Sequence, residues 1–283
     1  MAASSLQLPV FKRLEGKVAI ITGAANGIGA TTARLFAHHG CKVIIADIDD
    51  KNGLSVADEI GPEYALFIHC DVRIESDVQH AVDTTVSRYG KLDIMFSNAG
   101  TAGRRETSIL EVNPENINLV FDTNVVGSFF CAKHAARVMI PAKKGSIIFS
   151  ASAASEVFFG SYYAYTASKC AVVGLCKSLC VEMGKYGIKA NCVSPYFILT
   201  KLGMSIMPTN DRKLAEEIVA ESSSFKGHTL TTEDVAEAAL YLAGDESKYV
   251  SGLNLLIDGG FTTTNIAFQV AVEKVLGGGE GTT

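Results

Sequence analysis

The chain reads as a doubly wound α/β domain: a mostly parallel, seven-stranded sheet with helices on both faces. Short apolar runs rich in β-branched residues alternate with longer stretches of helical periodicity, the rhythm of βαβ units. A glycine-rich turn follows the first run and opens the first helical stretch. Polar residues stand at the ends of successive runs, where the ligand crevice of such a sheet lies. At 283 residues, 48% of them apolar, one large core is expected, a single domain over 1–283 with its core in about 14–261.

The first strand is expected over 17–22, Val-Ala-Ile-Ile being its buried centre. Then come Gly23-Ala24-Ala25-Asn26-Gly27-Ile28-Gly29 and a helical pattern over 33–39. Glycines permit the tight turn and let a phosphate approach the backbone. The helix N-terminus offers free N–H groups and a positive dipole end to a pyrophosphate. The spacing is G-x-x-x-G-x-G rather than the commoner G-x-G-x-x-G. A second strand over 42–46 ends in Asp47. An acid there bonds the ribose 2′-hydroxyl of NAD and repels the 2′-phosphate of NADP. Asp49 and Asp50 strengthen that, no arginine is close in sequence, and Lys51 is the nearest base. NAD is therefore expected over NADP.

A helix over 50–60 leads to a third strand, 65–69, ending at Cys70-Asp71-Val72. A helix over 75–89 is closed by Gly90, a usual C-terminal residue. The fourth strand, 92–96, leads to Ser97-Asn98-Ala99-Gly100. After a polar loop over 101–113, one long helix is expected over 114–139, with Asn124 in its middle. Asparagine is a mediocre helix former, and its neighbours Val125, Val126, Phe129 and Phe130 are apolar, so its side chain should bond something.

The fifth strand, 147–150, precedes the stretch with the clearest chemistry. Val172, Leu175, Cys176 and Leu179 recur at helical spacing, and on that helix Tyr165 and Lys169 sit one above the other. Of the three tyrosines at 162, 163 and 165, only Tyr165 has a lysine four residues on. A free phenol, with a pKa of roughly 10, is a poor base at neutral pH. An ammonium close by favours the phenolate, and a phenol so tuned can take a proton from an alcohol or return one to a carbonyl. Ser150, Ser152 and Ser155 could each offer a hydroxyl to the same substrate oxygen.

The sixth strand covers 189–194, followed by Pro195-Tyr196-Phe197-Ile198-Leu199-Thr200. Residues 202–229 form the least regular stretch, with Met204, Ile206 and Met207 and a short charged helix over 211–221. Apolar residues on so long an excursion suggest a lid over an apolar ligand. A capped amphipathic helix over 232–243 and a last strand over 253–258 complete the sheet. Residues 261–275 are apolar enough to dock, and 277–283 read as a disordered tail.

A net charge of −5 without a basic run argues against nucleic acid. No apolar run reaches transmembrane length, and 1–16 has no signal-like apolar segment. Seven cysteines without CxxC spacing suggest reduced thiols in a reducing compartment, so a cytoplasmic location is expected. The six histidines show no metal-ligand spacing, so no metal is expected.

Taken together, these residues resemble the short-chain dehydrogenase/reductase family over about 14–261. The likeness rests on the Gly23/Gly27/Gly29 turn, Asp71-Val72, Asn98-Ala99-Gly100, Asn124, Ser152, Tyr165 with Lys169, Asn191-Cys192-Val193-Ser194-Pro195, Thr200 and Asp258-Gly259-Gly260. It implies a Rossmann-type fold, usually tetrameric or dimeric, here a homotetramer. It implies Tyr165 as acid/base, Lys169 lowering its pKa and bonding the nicotinamide ribose, Ser152 on the reacting oxygen and Asn124 holding a relay water. The NAD site would comprise Gly23, Asn26, Gly27, Ile28, Gly29, Asp47, Ile48, Asp71, Val72, Asn98, Ala99, Gly100, Pro195, Ile198 and Thr200, with Tyr165 and Lys169. Asn98 would lie beside the adenine ribose. The substrate would meet Ser152, Phe158, Tyr165 and Tyr196.

The phrases Lys133-His134-Ala135-Ala136-Arg137-Val138-Met139-Ile140-Pro141 and Ser194-Pro195-Tyr196 are similar to a plant branch that includes borneol, secoisolariciresinol and nepetalactol-related enzymes. That implies NAD-dependent oxidation of a compact cyclic secondary alcohol, such as a monoterpenol. The same branch leaves open a non-redox cyclase that keeps NAD bound, or a dehydrogenase of a lactol, lignan or diterpenoid. Three positions depart from the family: Tyr196 stands where glycine is usual, Ser97 where asparagine is common, and Ala154 offers no second hydroxyl.

Overall fold

In a computed structural model, which describes residues 12–264 apart from 107, 159 and 161, the apolar runs become seven strands. They are β1 (Val18–Thr22), β2 (Lys42–Asp47), β3 (Ala65–His69), β4 (Ile94–Ser97), β5 (Gly145–Ser150), β6 (Ile188–Pro195) and β7 (Asn254–Ile257). All pair in parallel in the order β3-β2-β1-β4-β5-β6-β7. The connecting helices are α1 (Gly27–His38), α2 (Asp50–Ile60), α3 (Glu75–Tyr89), α4 (Pro114–Phe121), α5 (Gly127–Ala142), α6 (Tyr163–Gly184), α7 (Lys201–Ile206), α8 (Arg212–Ser222) and α9 (Thr232–Ala243).

Successive strand residues point to opposite faces, which divides the core in two. Ile20, Ile44, Met95 and Ile147 join one layer with Val82 of α3, Met139 of α5 and Val172 of α6. Ile21, Ile45, Phe96 and Ile148 join the other with Phe36 of α1, Val56 of α2 and Leu240 of α9. Phe36, Phe96 and Phe149 are fully buried, and burying such a side chain is worth about 1.5–3 kcal/mol. The strand order reverses between β1 and β4, which opens a crevice beyond their carboxyl ends.

The helix expected over 114–139 is not one continuous α-helix. Asn113 caps α4 by accepting from the Asn116 N–H at 3.0 Å, and Pro114 takes the first turn. A π-helical turn, Asp122–Val126, then interrupts it before α5 runs on to Ala142. The wide turn is held by side chains. Ser128 donates to the Asn124 carbonyl at 2.7 Å and receives a bond from Ser97 at 3.2 Å. The Asn124 side chain itself leaves the helix for its neighbours. Such single π turns often mark functional sites.

Residues 202–229 are also more ordered in kind than their sequence suggests. They hold most of α7, which starts at Lys201, and all of α8, one residue later than the charged helix expected. Strand bounds shift by a residue or two, as expected for element ends. Phe261–Thr263 is a short 3-10 turn; the rest of the apolar 261–275 segment past Thr264, and the tail 277–283, lie outside the described residues.

Candidate active site

β1 delivers the chain into the glycine turn at the point where the sheet reverses. Gly23 and Gly27 have φ of 64° and 53°, the left-handed region that favours glycine. A Cβ on Gly23 would lie 2.8 Å from Ala99 Cα, and one on Gly29 would lie 2.3 Å from the Gly23 carbonyl oxygen. Gly23 and Gly29 thus carry no side chain because backbone packs on them. At the start of α1 no side chain caps the free N–H groups, since Asn26 makes no capping bond.

Two side chains brace this turn. Asp47, 7% exposed, accepts from the Ala25 N–H and from the Asp49 N–H, both at 2.9 Å. Asn98 ties the end of β4 to it, its Nδ2 donating to the Thr22 and Gly23 carbonyls at 2.9 and 3.2 Å. The Asn98 Nδ2 is therefore committed to the protein backbone, and Asn98 lines the cavity in which the sequence expected the adenine ribose beside it.

The second group gathers around α6. Lys169, 5% exposed, donates from Nζ to the Ser150 carbonyl at 2.7 Å and lies 5.5 Å from the Tyr165 ring centroid. Asn124, 1% exposed, accepts from the Thr101 N–H at 2.8 Å and donates to the Thr101 carbonyl and to Ser168 Oγ, both at 2.9 Å. Gly100 leaves room between Asn124 and Lys169, because a Cβ there would sit 3.3 Å from Asn124 Oδ1 and 3.5 Å from Lys169 Nζ. Of the three candidate serines, Ser152 and Ser150 reach the cavity. Ser155 instead donates to the Ser152 carbonyl at 2.7 Å.

The electrostatics correct one expectation. Burial pushes the Tyr165 phenol up, and only a hydrogen bond with Ser152 works against it. Lys169 is itself pushed down to about 8, because burial disfavours its charge. Tyr165 is thus not lowered by its lysine in this structure: the pair shares one desolvated site, and desolvation dominates.

Both groups open on one cavity of about 790 Å³. Every site residue expected from the sequence lines it except Gly29, Asn124 and Phe158. Gly29 packs against the Gly23 carbonyl and the Asn98 amide, and Asn124 is buried beside Gly100. Phe158 is 80% exposed at the surface, away from the pocket wall it was expected to form. The cavity has members the sequence reading missed, Arg73, Thr101 and Lys201, and it is also lined by Leu202, Gly203 and Ile206 of the stretch expected as a lid. Arg73 corrects the expectation of no nearby arginine, but its guanidinium is paired with Asp71 and holds that carboxyl below the usual carboxylate range. Thr200 caps α7 by accepting from the Gly203 N–H at 3.2 Å. Among the described residues no cluster of His, Cys, Asp and Glu suits a metal ion, and no helix is long and apolar enough to cross a membrane.

The glycine turn, the uncapped helix start and the acid at the end of β2 fit a dinucleotide. Its phosphates would meet the 23–29 turn, a ribose Asp47, and its nicotinamide end Pro195, Ile198 and the Tyr165–Lys169 pair. Fold and site together define a dinucleotide-dependent oxidoreductase.

The comparisons agree. Residues 23–262 match the family model described as enoyl-(acyl carrier protein) reductase. Secoisolariciresinol dehydrogenase of Forsythia intermedia is 51% identical over 95% of this chain and 98% of its own. A borneol dehydrogenase, named as mitochondrial, of Lavandula x intermedia is 53% identical over 90% of this chain and 94% of its own. Among solved structures, 3-ketoacyl-(acyl-carrier-protein) reductase from Brucella melitensis, complexed with NADH, matches with a TM-score of 0.81 at 32% identity, over 88% of this chain and 99% of that one. The chain belongs to the short-chain dehydrogenase/reductase family.

Proposed function

We propose that the protein oxidises a compact cyclic secondary alcohol, most suitably a monoterpenol such as borneol, to its ketone with NAD. The observation that carries this reading is that Ser152, Tyr165 and Lys169 line the same cavity as the glycine turn and Asp47. The cofactor supplies the hydride acceptor when bound. Ser152 donates a hydrogen bond to the alcohol oxygen and holds it beside the Tyr165 hydroxyl. Tyr165 takes the alcohol proton as general base. Lys169, on the same helix face, brings positive charge to the phenolate form of Tyr165 that accepts this proton, and bonds the nicotinamide ribose. Asn124, fixed by Thr101 and Ser168, keeps the space beside Lys169 open for a relay water.

NAD is favoured over NADP because Asp47 brings a negative charge to the ribose position and Arg73 is already spent on Asp71. α7 and α8 act as the lid, with Leu202 and Ile206 as its apolar underside. Relatives named for borneol and secoisolariciresinol, at 53% and 51% identity, support a cyclic alcohol. The reading includes a homotetramer in the cytoplasm, where the seven free cysteines would stay reduced.

The test is the formation of reduced nicotinamide with NAD, and with NADP beside it, over a panel of cyclic alcohols including both borneol enantiomers. Turnover of one compact monoterpenol with NAD supports the reading. Tight NAD binding with no oxidation of any alcohol would turn it toward a non-redox cyclase.

A further inference from the structure

Tyr196 stands between two cavities. It and Phe197 line the catalytic cavity and also a second one of about 660 Å³. The second is walled by Val219 and Ala220 of α8, by Phe225 and Leu230, and by Leu256 and Ile257 at β7. Its two acids already have partners. Asp234 accepts from the Thr231 N–H at 2.8 Å, and Asp258 from the Gly260 and Thr262 N–H groups at 3.0 and 2.8 Å. His228 lies flat on Phe225, with ring centroids 4.9 Å apart. What is left facing the space is largely aliphatic and aromatic, the lining of a site for an apolar ligand.

The Tyr196 ring is pinned in place. It packs on Phe261 with centroids 4.2 Å apart and planes 30° apart. Its hydroxyl donates to Ser222 Oγ, at the end of α8, at 3.0 Å. Ser222 can accept because its own hydroxyl donates back along α8, to the Ile218 carbonyl at 2.8 Å. The wall between the cavities is therefore made by Tyr196 and Phe197, and its Tyr196 ring is fixed to the lid helix on one side and to the turn after β7 on the other.

The geometry points to Tyr196 as the residue that sets the upper size of the substrate, by closing the reacting cavity off from a distal apolar subsite. This deepens, and rests on, the alcohol dehydrogenase reading above. The catalytic cavity, about 790 Å³, has to take a dinucleotide as well as the reacting carbinol, although one drug-sized ligand alone commonly occupies about 300–1,000 Å³. Little is left for bulk beyond a compact ring system. The second cavity falls in that same range by itself, and only Tyr196 and Phe197 belong to both linings. Removing the Tyr196 ring would join them, so that a polycyclic alcohol could place its carbinol at Ser152 and its apolar remainder against Val219 and Leu256.

The experiment compares a bicyclic secondary alcohol with a tetracyclic alcohol carrying the same carbinol ring, in the wild type, Tyr196→Ala and Tyr196→Phe. Tyr196→Ala should move the kcat/KM ratio toward the tetracyclic alcohol by about tenfold or more, within the range that pocket volume commands. Tyr196→Phe keeps the wall and loses only the bond to Ser222, so its ratio should stay near that of the wild type. An unmoved ratio in a folded Tyr196→Ala protein overturns the inference. So does an equal shift in Tyr196→Phe, which would make the bond to Ser222 the determinant. Should Tyr196→Ala fail to fold, Tyr196→Leu carries the same test. Calorimetric titration of the tetracyclic alcohol into NAD-loaded protein separates this idea from the reading it rests on. Tighter binding by Tyr196→Ala than by wild type supports the partition even if no alcohol is oxidised, an outcome that would sink the dehydrogenase reading alone. Equal binding overturns the partition.

Discussion

Asn124 and Ser168 are joined across the π turn and α6, the Asn124 amide donating to Ser168 Oγ at 2.9 Å. The same hydroxyl donates to the Tyr165 carbonyl at 2.7 Å. Both residues are buried, at 1% and 0% exposure. One side chain thus fixes the Asn124 amide to the helical turn that bears Tyr165 and Lys169. Ser168→Ala removes the acceptor of a buried N–H, a loss of about 1–3 kcal/mol. The melting temperature should fall measurably, and kcat should fall with it while NAD affinity changes less. An unchanged melting temperature and rate would show that this bond holds nothing in place.

Tyr165 is the proposed base, and its phenol is pushed up by burial with Ser152 opposing the shift. Tyr165→Phe keeps the ring and removes the proton carrier. Turnover should fall by about 10²–10⁴-fold, the usual scale of general acid–base catalysis. NAD binding, measured by calorimetry, should persist. Full activity in this variant would remove Tyr165 from the mechanism.

Asp47 carries two duties that separate by substitution. Its oxygens hold the Ala25 and Asp49 N–H groups, and its charge faces the cavity. Asp47→Asn keeps one acceptor oxygen and loses the charge. The preference for NAD over NADP should narrow by about tenfold, or about 1.4 kcal/mol. Asp47→Ala should also lower the unfolding free energy, because both N–H groups lose their partner. Equal weakening of NAD and NADP by Asp47→Asn would mean that the acid only braces the turn.

Much of this architecture is legible in the chain because the deciding signals are local. Val18–Thr22 and Lys42–Asp47 are apolar nearly throughout, as strands buried on both faces must be. The glycine turn lies between a strand and a helix, and Tyr165 and Lys169 share a helix face by spacing alone. What escaped the sequence depends on distant partners. The π turn needs Thr101 and Ser168 to receive the Asn124 side chain. α7 is six residues long and begins from a Thr200 cap, too short to show a period. Ser168 gave no signal because a helical serine commonly bonds its own helix. Phe158 was expected at the pocket from the family resemblance, but it is exposed at the surface. The lysine expected to lower the Tyr165 phenol is itself buried, and no spacing rule reports desolvation.

That desolvation makes a prediction about pH. Burial pushes Lys169 and Lys189 down to about 8, from an ordinary value of 10.5. Between those values the unfolded chain binds more protons than the folded one, so this contribution to stability rises with pH, by up to about 1.4 kcal/mol per unit for each group. Below about 8 both states are protonated and the slope vanishes. Burial pushes the Cys41 and Cys70 thiols up, which works in the opposite sense above the ordinary thiol value of 9.0. The lysine term is therefore read best by difference, between the wild type and Lys169→Met, in denaturant unfolding at pH 7, 8 and 9. The cysteines and Lys189 are common to both proteins and cancel. Lys169→Met carries no charge to desolvate, so it should gain most over the wild type at pH 7. That advantage should shrink by roughly 1 kcal/mol between pH 8 and pH 9 as wild-type Lys169 gives up its proton. A difference that stays flat across the range would mean that Lys169 keeps an ordinary pKa in the folded protein, and that its charge is not paid for by burial.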